Sequence, residues 1–409
     1  MELRQTAALR RWTIVIAAGL IMGATLGVRH TQGLFMQPVL NDQHWTREAF
    51  GFAIAIQNLI WGLSQPFTGM LADRYGSAKV IFAGLLLYAL GLFLMSDAAS
   101  EAGFALTNGV LIGLALSGTA FGTVYGALSR IFRPAERGWA LAVAGAIGGL
   151  GQFCMVPAVQ ALLDDMQWFT VSAILCIAMV VLSPLAIFLR EKVTHCDDCT
   201  QEQASLWMAL RAAFAHKGFW LLNTGFFACG FQLAFIGTHM PAYLLDQGLS
   251  VHEAATALAC IALANVFGMY CAGISVGMYR IKYVLANAYL IRAVAMLVFI
   301  SFPVTAAGTY VFAGLMGFLW LGTAPLTNSL VARIFGVRYI ATLFGFVFFG
   351  HQLGSFLGVW LGGYVYDTYG SYDLLWQCSI AVGLVAALLH IGVNDAPRQE
   401  SATALRHAA

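Results

Sequence analysis

GMLADRYGSAK, residues 69–79, separates two apolar segments that are each long enough to cross a lipid bilayer. Arg74 and Lys79 give this short connection the positive charge that is typical of loops on the cytoplasmic side of a membrane. Gly69 and Gly76 let the backbone and a neighbouring helix approach closely. The stretch therefore predicts a cytoplasmic hairpin between two membrane-spanning helices.

The composition places the rest of the chain in the membrane as well. Of its 409 residues, 60% are hydrophobic and 10% are charged, which is more apolar surface than one soluble core can bury. One span needs about 20 apolar residues, and the chain holds twelve such segments. The predicted spans are residues 12–40, 47–72, 77–96, 103–129, 138–163, 167–189, 217–245, 251–277, 282–303, 306–333, 338–366 and 371–394.

The basic residues indicate how these spans are oriented. With the N-terminus inside, all but three of the 21 Lys and Arg residues fall in cytoplasmic segments. The exceptions are Arg47, which lies outside, and Arg29 and Arg292, which lie within spans. Because positive charge collects on the cytoplasmic side, both termini are expected there.

The two halves of the chain repeat each other. The tripeptide Arg-Ile-Phe at 130–132 recurs at 333–335, and the same offset places Asp164 on Asp367. An ordered series of matches at one offset indicates an internal duplication. Parallel six-helix repeats are an architecture of secondary transporters, which bind their substrate between the halves near the membrane midplane.

The predicted fold is therefore an all-α membrane protein with twelve transmembrane helices in two pseudo-symmetric six-helix bundles. The N-terminal bundle is expected over 1–189, a cytoplasmic linker over 190–216 and the C-terminal bundle over 217–409.

The linker contains His195, Cys196 and Cys199, which are residue types that bind zinc. Because no fourth protein ligand is evident, we expect a free linker segment, with a metal site as the alternative. No G-x-x-x-x-G-K-[ST] motif occurs, so ATP is not expected to energise transport. We expect no cofactor and no enzymatic activity.

Ionisable side chains within spans are costly and are treated as functional candidates. There are five, namely Arg29, His30, His239, Arg292 and His351, and all are cationic or can become so. Every carboxylate falls in a loop, a tail or a helix end. A cavity with cationic groups and no fixed acidic partner suits an anion, whose own charge completes the pair.

Each candidate has a structural alternative. Arg29 and His30 project about 100° apart on one helix, so at least one is expected to bind substrate while the other faces a neighbouring helix. His351 is a ligand or a packing histidine, and His239 is a gate or an interfacial residue. The uncharged polar residues expected to line the cavity are Gln57, Tyr125, Gln232, Asn265 and Gln352.

The stretch 69–79 resembles the loop between helices 2 and 3 of the major facilitator superfamily, whose pattern is roughly G-x-L-A-D-R-x-G-R-K-x-V. The matching positions are Gly69, Leu71, Ala72, Asp73, Arg74, Gly76, Lys79 and Val80, whereas Ser77 and Ala78 depart from the pattern. In that superfamily helix 9 lies at the periphery. The resemblance thus implies that Arg292 is a structural residue, paired with a helix-end carbonyl or a loop carboxylate.

Within the superfamily, the chain is most similar to the monocarboxylate and oxalate/formate carriers. The similarity lies at Gly33-Leu34-Phe35, Asp42, Trp45-Thr46, Cys229-Gly230, 239–250 and 354–358. This branch commonly has a basic residue in helix 1, which Arg29 or His30 would supply. Some oxalate-type members have a lysine in helix 11, near which His351 stands. The arginine that the branch usually carries in helix 8 has no counterpart here.

The resulting hypothesis is a secondary transporter of the bacterial inner membrane that moves a small organic anion, a carboxylate by preference, through alternating access. Proton symport is the expected coupling, with the proton on a histidine or on the substrate itself. The alternative is an exporter of hydrophobic compounds or a carrier of a neutral vitamin-like solute. The expected partners are the anionic substrate, the lipid bilayer and protons, without nucleic acid, and we expect a monomer.

The cytoplasmic gate is expected around the stretch 69–79. Asp73 is predicted to pair with Arg130 and to face the N-terminus of helix 11, where the helix dipole favours a carboxylate. The residues assigned to this gate are Gly69, Asp73, Arg74, Gly76, Lys79 and Arg130.

Overall fold

Helices account for nearly the whole of a computed structural model, which describes residues 2–191, 207–208, 210–335 and 340–396. The helices up to residue 191 are α1 (Glu2–His30), α2 (Gln32–Gln43), α3 (Arg47–Tyr75), α4 (Ser77–Ser96), α5 (Glu101–Phe104), α6 (Ile112–Thr119), α7 (Phe121–Ile131), α8 (Pro134–Asp165) and α9 (Trp168–Leu182). A π-helical segment, Ala105–Leu111, joins α5 to α6, and a 3-10 segment, Ser183–Leu189, extends α9. We call this part of the chain the first half.

The second half, which follows residue 216, contains seven helices among its described residues. They are α10 (Lys217–Asp246), α11 (Val251–Met278), α12 (Ile281–Ser301), α13 (Ala306–Phe318), α14 (Thr323–Phe335), α15 (Ile340–Tyr369) and α16 (Asp373–Ile391).

These helices form the twelve predicted spans. Eleven segments of the described chain are long and apolar enough to cross a membrane. The twelfth span is α3, which is 29 residues long but carries Gln57, Asn58 and Gln65. Spans 1, 4 and 10 are each built from more than one helix, as α1 with α2, α5 to α7, and α13 with α14.

Hydroxyl side chains start several helices at one end of the bundle. Thr46 accepts the N–H of Ala49 at 3.1 Å before α3. Ser250 and Glu253 form a reciprocal capping box at the start of α11, which satisfies two otherwise free N–H groups. The chain therefore turns sharply here, and we call this the closed end, because the two halves meet there.

The halves touch from the closed end to the middle of the bundle. The contacts are between α3 and α15, α8 and α11, and α2 and α10. Small residues allow them: Gly363 packs on the backbone of Arg47 and Glu48, and Gly62 packs on the side chain of Gln352.

The opposite end has more space between the halves. Gly69 of α3 and Gly345 of α15 have no neighbour within 4 Å of the position that a Cβ would take. Phe67 and Met70 on α3 and Tyr270 on α11 are exposed. We call this the open end; it carries the stretch 69–79.

Candidate functional site

Three spans are interrupted near the middle of the bundle. The interruptions lie at Thr31 between α1 and α2, at Ala120 between α6 and α7, and at 319–322 between α13 and α14. Interrupted backbone within a membrane needs partners for its polar groups, and in transporters it commonly lines the binding site.

The break of span 10 is held by side chains from two neighbouring helices. The Oδ1 atom of Asn265 on α11 accepts the N–H of Leu321 at 3.0 Å. Arg292 on α12 donates to the carbonyl of Leu319 and, at 2.6 Å, to that of Trp320. The predicted cavity residue Asn265 thus supports the backbone, and Arg292 meets the carbonyl end of a helix, where a cation is favoured.

Arg29 lies in the last turn of α1 and faces α3. Its guanidinium donates to Oδ1 of Asn58, and its Cζ atom lies 5.2 Å from the ring centroid of Trp61. Its Nε atom is buried and has no partner among the described residues. The residue as a whole is half-buried. Arg29 is therefore a cation held by an amide and an aromatic face.

His30, the next residue, points to the second half instead. Its Nε2 atom donates to the carbonyl of Leu258 on α11 at 3.0 Å. Its ring packs edge-on against Trp320 in the break of span 10, with centroids 6.5 Å apart. The two adjacent residues diverge as the helical geometry requires, and His30 bridges the halves.

His351 on α15 lies on the other side of an aromatic contact. Its ring stacks on Phe348 with centroids 5.7 Å apart, and its Nδ1 donates to Oε1 of Gln352 at 3.3 Å. Phe348 meets Trp61 edge-on at 5.6 Å, and Trp61 carries Arg29. The structure thereby joins Arg29 of the first half to His351 of the second half through two aromatic rings.

Three other predicted cavity residues make contacts within their own half. Gln57 donates to the carbonyl and the side-chain oxygen of Asn108 at 2.9 and 3.0 Å. Gln232 donates to the carbonyl of Ser379 at 2.9 Å. The ring of Tyr125 packs against Phe121. None of these contacts brings its residue to Arg29.

The closed end is fastened by residues that the sequence reasoning did not assign to a site. Arg47 at the start of α3 donates to both carboxylate oxygens of Asp246, at 2.6 and 2.7 Å, and to the hydroxyl of Tyr372 at 3.0 Å. Its Cζ atom lies 3.7 Å from the ring centroid of Tyr366. Asp367 accepts the backbone N–H groups of Arg47 and Glu48 at the positive end of α3. We call Arg47, Asp246, Asp367 and Tyr372 the latch.

His239 lies directly behind the latch. Its Nδ1 accepts the hydroxyl of Tyr372 at 3.2 Å, and its Nε2 donates to the carbonyl of Val359 at 2.7 Å. The side chain is fully buried. Two signals for the latch were present in the sequence, since Arg47 is the single basic residue predicted outside and Asp367 belongs to the internal repeat.

The family model of the Major Facilitator Superfamily matches residues 7–359. This chain belongs to the major facilitator superfamily. It is 24% identical to monocarboxylate transporter 11 of Mus musculus, over 94% of this chain and 88% of that protein. It is 26% identical to the oxalate:formate antiporter of Oxalobacter formigenes, over 88% and 86% of the two chains.

A solved structure of a bacterial homologue of the human lysosomal transporter Spinster shares the fold. Its TM-score is 0.73 at 17% identity, over 94% of this chain and 96% of that one. The predicted twelve-helix fold and the predicted branch of the superfamily are confirmed. The protein is a membrane transporter and not an enzyme.

The predicted gate lies at the open end of this carrier. Arg130 on α7 donates to Glu191 at 3.0 Å and to Oγ of Ser77 at 2.5 Å, and Glu191 also accepts the N–H of Ser77 at 3.0 Å. The side chain of Asp73 lies outside the described part of the structure, so its pairing with Arg130 stays a prediction.

The other assigned gate residues surround the same turn. Gly76 has a φ of 93°, which favours glycine, and Arg74 lies over the ring of Tyr75 at 5.3 Å. Gly69 has open space beside it. Lys79 lies in the first turn of α4.

In both halves, a carboxylate that follows the last span binds the start of another span at the open end. Asp395 after α16 accepts from Nε and Nη2 of Arg280, at 3.2 and 2.5 Å, as Glu191 accepts from Ser77 and Arg130 in the first half. The linker residues His195, Cys196 and Cys199 lie outside the described residues. Within the described residues, no group of His, Cys, Asp and Glu has the arrangement of a metal site.

Proposed function

We propose that this carrier moves a small organic anion, a carboxylate by preference, past Arg29. The observation that carries the proposal is the environment of that guanidinium. Among the described residues no carboxylate forms an ion pair with Arg29, whose partners are the neutral Asn58 and Trp61. A cation within the membrane is costly without a counter-charge, and a bound anion supplies one.

The opposite wall of the proposed site is polar and aromatic. His351 and Gln352 on α15 face the first half across Trp61 and Phe348, and Nε2 of Gln352 is buried without a partner among the described residues. An amide N–H and an imidazole N–H can both donate to a carboxylate. An anion bound between Arg29 and this wall would favour closure of the halves around it, because it gains contacts from both.

Transport would proceed by alternating access of the two bundles, 1–189 and 217–409, joined by the linker 190–216. The latch holds the closed end, and the basic loops support an orientation with the open end and both termini on the cytoplasmic side of a bacterial inner membrane. The structure would then represent the inward-open state of a monomeric carrier. Proton symport is the coupling that we propose.

Counterflow in proteoliposomes tests this function directly. Proteoliposomes that contain the purified protein are loaded with an unlabelled monocarboxylate, a dicarboxylate or a neutral aromatic solute. Uptake of the same compound in labelled form is then followed at constant pH. We expect counterflow of at least one carboxylate and none of the neutral solutes. Counterflow confined to neutral or hydrophobic compounds would contradict the proposal and support the alternative exporter or vitamin-like carrier.

The proton coupling needs a separate measurement. Carboxylate uptake is compared with and without an inward proton gradient at zero membrane potential. Accumulation above equilibrium only with the gradient is the expected result, whereas equal uptake in both conditions would indicate exchange or facilitated diffusion.

A further inference from the structure

A second arginine lies within the membrane, in a sealed cluster of the second half. Arg292 on α12 is fully buried, with an exposed fraction of 0%. Its Nη1 atom lies 3.3 Å from Sγ of Cys229 on α10, and its Nη2 atom donates to the carbonyls of Leu319 and Trp320. Its Cζ atom lies 5.3 Å from the ring centroid of Tyr289. No carboxylate of the described residues forms an ion pair with it.

Arg29 and Arg292 therefore differ in how their charge can be compensated. Arg29 is half-buried and belongs to the proposed substrate site, where a bound anion would compensate its charge. Arg292 is fully buried, and its compensation has to come from the protein. Carbonyl dipoles lower the cost of a buried cation, but a paired anion lowers it further.

Cys229 is the one described side chain within bonding distance of Arg292 that can carry a negative charge. Its sulfur is fully buried and lies 3.2 Å from Oγ1 of Thr323, whose hydroxyl can donate to it. The titratable groups that face this sulfur from neighbouring helices are Arg292 and Tyr289 on α12 and His351 on α15. A nearby guanidinium and hydrogen-bond donors are the surroundings that stabilise a thiolate.

We propose that Cys229 and Arg292 form a buried thiolate–guanidinium pair, and that the thiolate of Cys229 is a proton-binding site of this carrier. Its role in transport rests on the proposed function, whereas its ionisation does not. When the thiolate takes up a proton, it becomes a neutral thiol and Arg292 loses its counter-charge. The sulfur of Cys229 would accept this proton next to His351, and His351 lines the proposed substrate site.

The pair is also positioned to influence the contact between the halves. Arg292 holds the carbonyl of Trp320 in the break of span 10, and the ring of Trp320 packs against His30 of the first half. Thr323, the partner of Cys229, is the first residue of α14. Protonation of Cys229 therefore changes the net charge of the pair that contacts the break facing His30.

Thiolate absorbance in the ultraviolet measures the ionisation without any substrate. The parent protein contains Cys196→Ser and Cys199→Ser, which remove the two linker thiols, and it is compared with the same protein that also contains Cys229→Ser. We expect the parent to lose about one thiolate per chain on acidification from neutral pH, and the Cys229→Ser variant to lose none. Cys260→Ser, a change of the same type in α11, is the matched control and should behave as the parent. A parent protein without any thiolate at neutral pH overturns the proposal, even if Cys229→Ser fails to fold.

Arg292→Gln tests the source of the stabilisation. Removing the guanidinium should abolish the thiolate signal at neutral pH, while Arg292→Lys, which keeps the charge, should retain part of it. An unchanged signal in folded Arg292→Gln would show that the pair is not the cause.

Transport assays then test the role in coupling. Cys229→Ser should keep carboxylate counterflow and lose accumulation driven by a proton gradient, with Cys260→Ser unaffected. Intact proton-driven accumulation in Cys229→Ser would refute the proton-binding role. If the parent itself shows no carboxylate counterflow, the proposed function fails, and the absorbance measurement still decides whether the ion pair exists.

Discussion

Three arginines, two within the spans and one at the closed end, differ mainly in what surrounds them. Arg29 meets an amide and an indole, Arg292 meets helix-end carbonyls and a sulfur, and Arg47 meets a carboxylate. Because the free-energy cost of a buried charge depends on the groups that compensate it, these three arginines have separate roles. We expect substrate recognition from the first, helix positioning from the second and closure from the third.

Replacement of Arg29 should weaken the binding of anions more than the binding of any neutral solute. Arg29→Gln removes a charge-assisted hydrogen bond, which is worth about 1.5–3 kcal/mol, or roughly 10- to 150-fold in affinity. Arg29→Lys should lose less, because it keeps the charge without the planar fork. Equilibrium binding of a labelled carboxylate measures the change, and the exposed Arg211→Gln is the control. Equal affinity in wild type and Arg29→Gln would exclude Arg29 as a ligand.

The roles of His30 and His351, which are both candidate ligands from the sequence, should be separable by experiment. His351→Ala removes a donor from the proposed site and should weaken carboxylate binding by about 1.5 kcal/mol. His30→Ala removes the bond to Leu258 across the halves and should change the balance of conformations more than the intrinsic affinity. Binding and cysteine accessibility are measured on both variants. The assignment is contradicted if His30→Ala lowers affinity and His351→Ala leaves it unchanged.

At the scale of helices, the latch shows how two helix ends from opposite halves are joined. The side chain of Arg47 is 10% exposed and that of Asp246 is 28% exposed, so their pair is largely shielded from water. The positive N-terminus of α3 adds a second attraction, to Asp367 of α15. The related pair of His252 and Asp164, on the other two contacting helices, is longer at 3.8 Å and more exposed. We therefore assign most of the closure energy to Arg47.

In the Arg47→Gln variant, the conformation with an open latch should be populated more often than in the wild type. Loss of one partner of a shielded charge pair costs at least about 2 kcal/mol, which is roughly a 30-fold change in the ratio of the two conformations. A single cysteine introduced near the latch reports the change as faster labelling from the outside. The exchanged pair, Arg47→Asp with Asp246→Arg, should restore slow labelling in part. Labelling at the wild-type rate in Arg47→Gln would show that other contacts hold this end.

The ion pair between Arg280 and Asp395 should make the free energy of unfolding depend on pH. The hydrogen bonds from Arg280 lower the pKa of Asp395, so the folded protein favours the carboxylate more than the unfolded chain does. The contribution to stability is present above the unfolded pKa of Asp395 and is lost as the pH falls through its lower folded pKa. Asp395→Asn should therefore lower the Tm at neutral pH and leave it near the wild-type value in acid. A Tm difference that is independent of pH would contradict this origin.

At the scale of the whole molecule, the two halves meet along paired spans related by the internal repeat. The span pairs are α3 with α15 and α8 with α11, and the breaks at Thr31 and 319–322 interrupt spans 1 and 10. His30 and Trp320 connect these two breaks. A relative rotation of the halves thus acts on both interrupted backbones together.

A covalent bridge at the closed end should trap one conformation. His252 of α11 and Asp164 of α8 lie at this end on opposite halves, with Nε2 and Oδ2 3.8 Å apart and both side chains accessible. A protein with His252→Cys and Asp164→Cys can therefore be bridged by a short, reducible bifunctional thiol reagent. Cross-linking should abolish transport while substrate still binds from the open end, and a reductant should restore transport. Each single cysteine variant is the control. Transport that continues after complete cross-linking would contradict alternating access at this end.

The sequence by itself determined the spans, their number and the family. The physical reason is that hydrocarbon tolerates few charges and requires about 20 apolar residues per helix, so these features can be read locally along the chain. Because a charge within a span is costly, Arg29, His30, His239, Arg292 and His351 stand out from the sequence alone. Helix breaks were not predictable in this way. Pro38, Pro66, Pro157 and Pro241 lie inside continuous helices, whereas the breaks at Thr31 and Ala120 contain no proline.

Only the tertiary structure decided which partner each of these groups has. Arg29 and His30 are neighbours in sequence, yet one binds Asn58 of the first half and the other Leu258 of the second. Asp246 reaches Arg47 from a helix 199 residues further along the chain. Such pairings depend on how packed helices are rotated and how closely they approach each other. Glycine contacts between distant segments set this geometry. A local sequence pattern therefore does not predict the pairings.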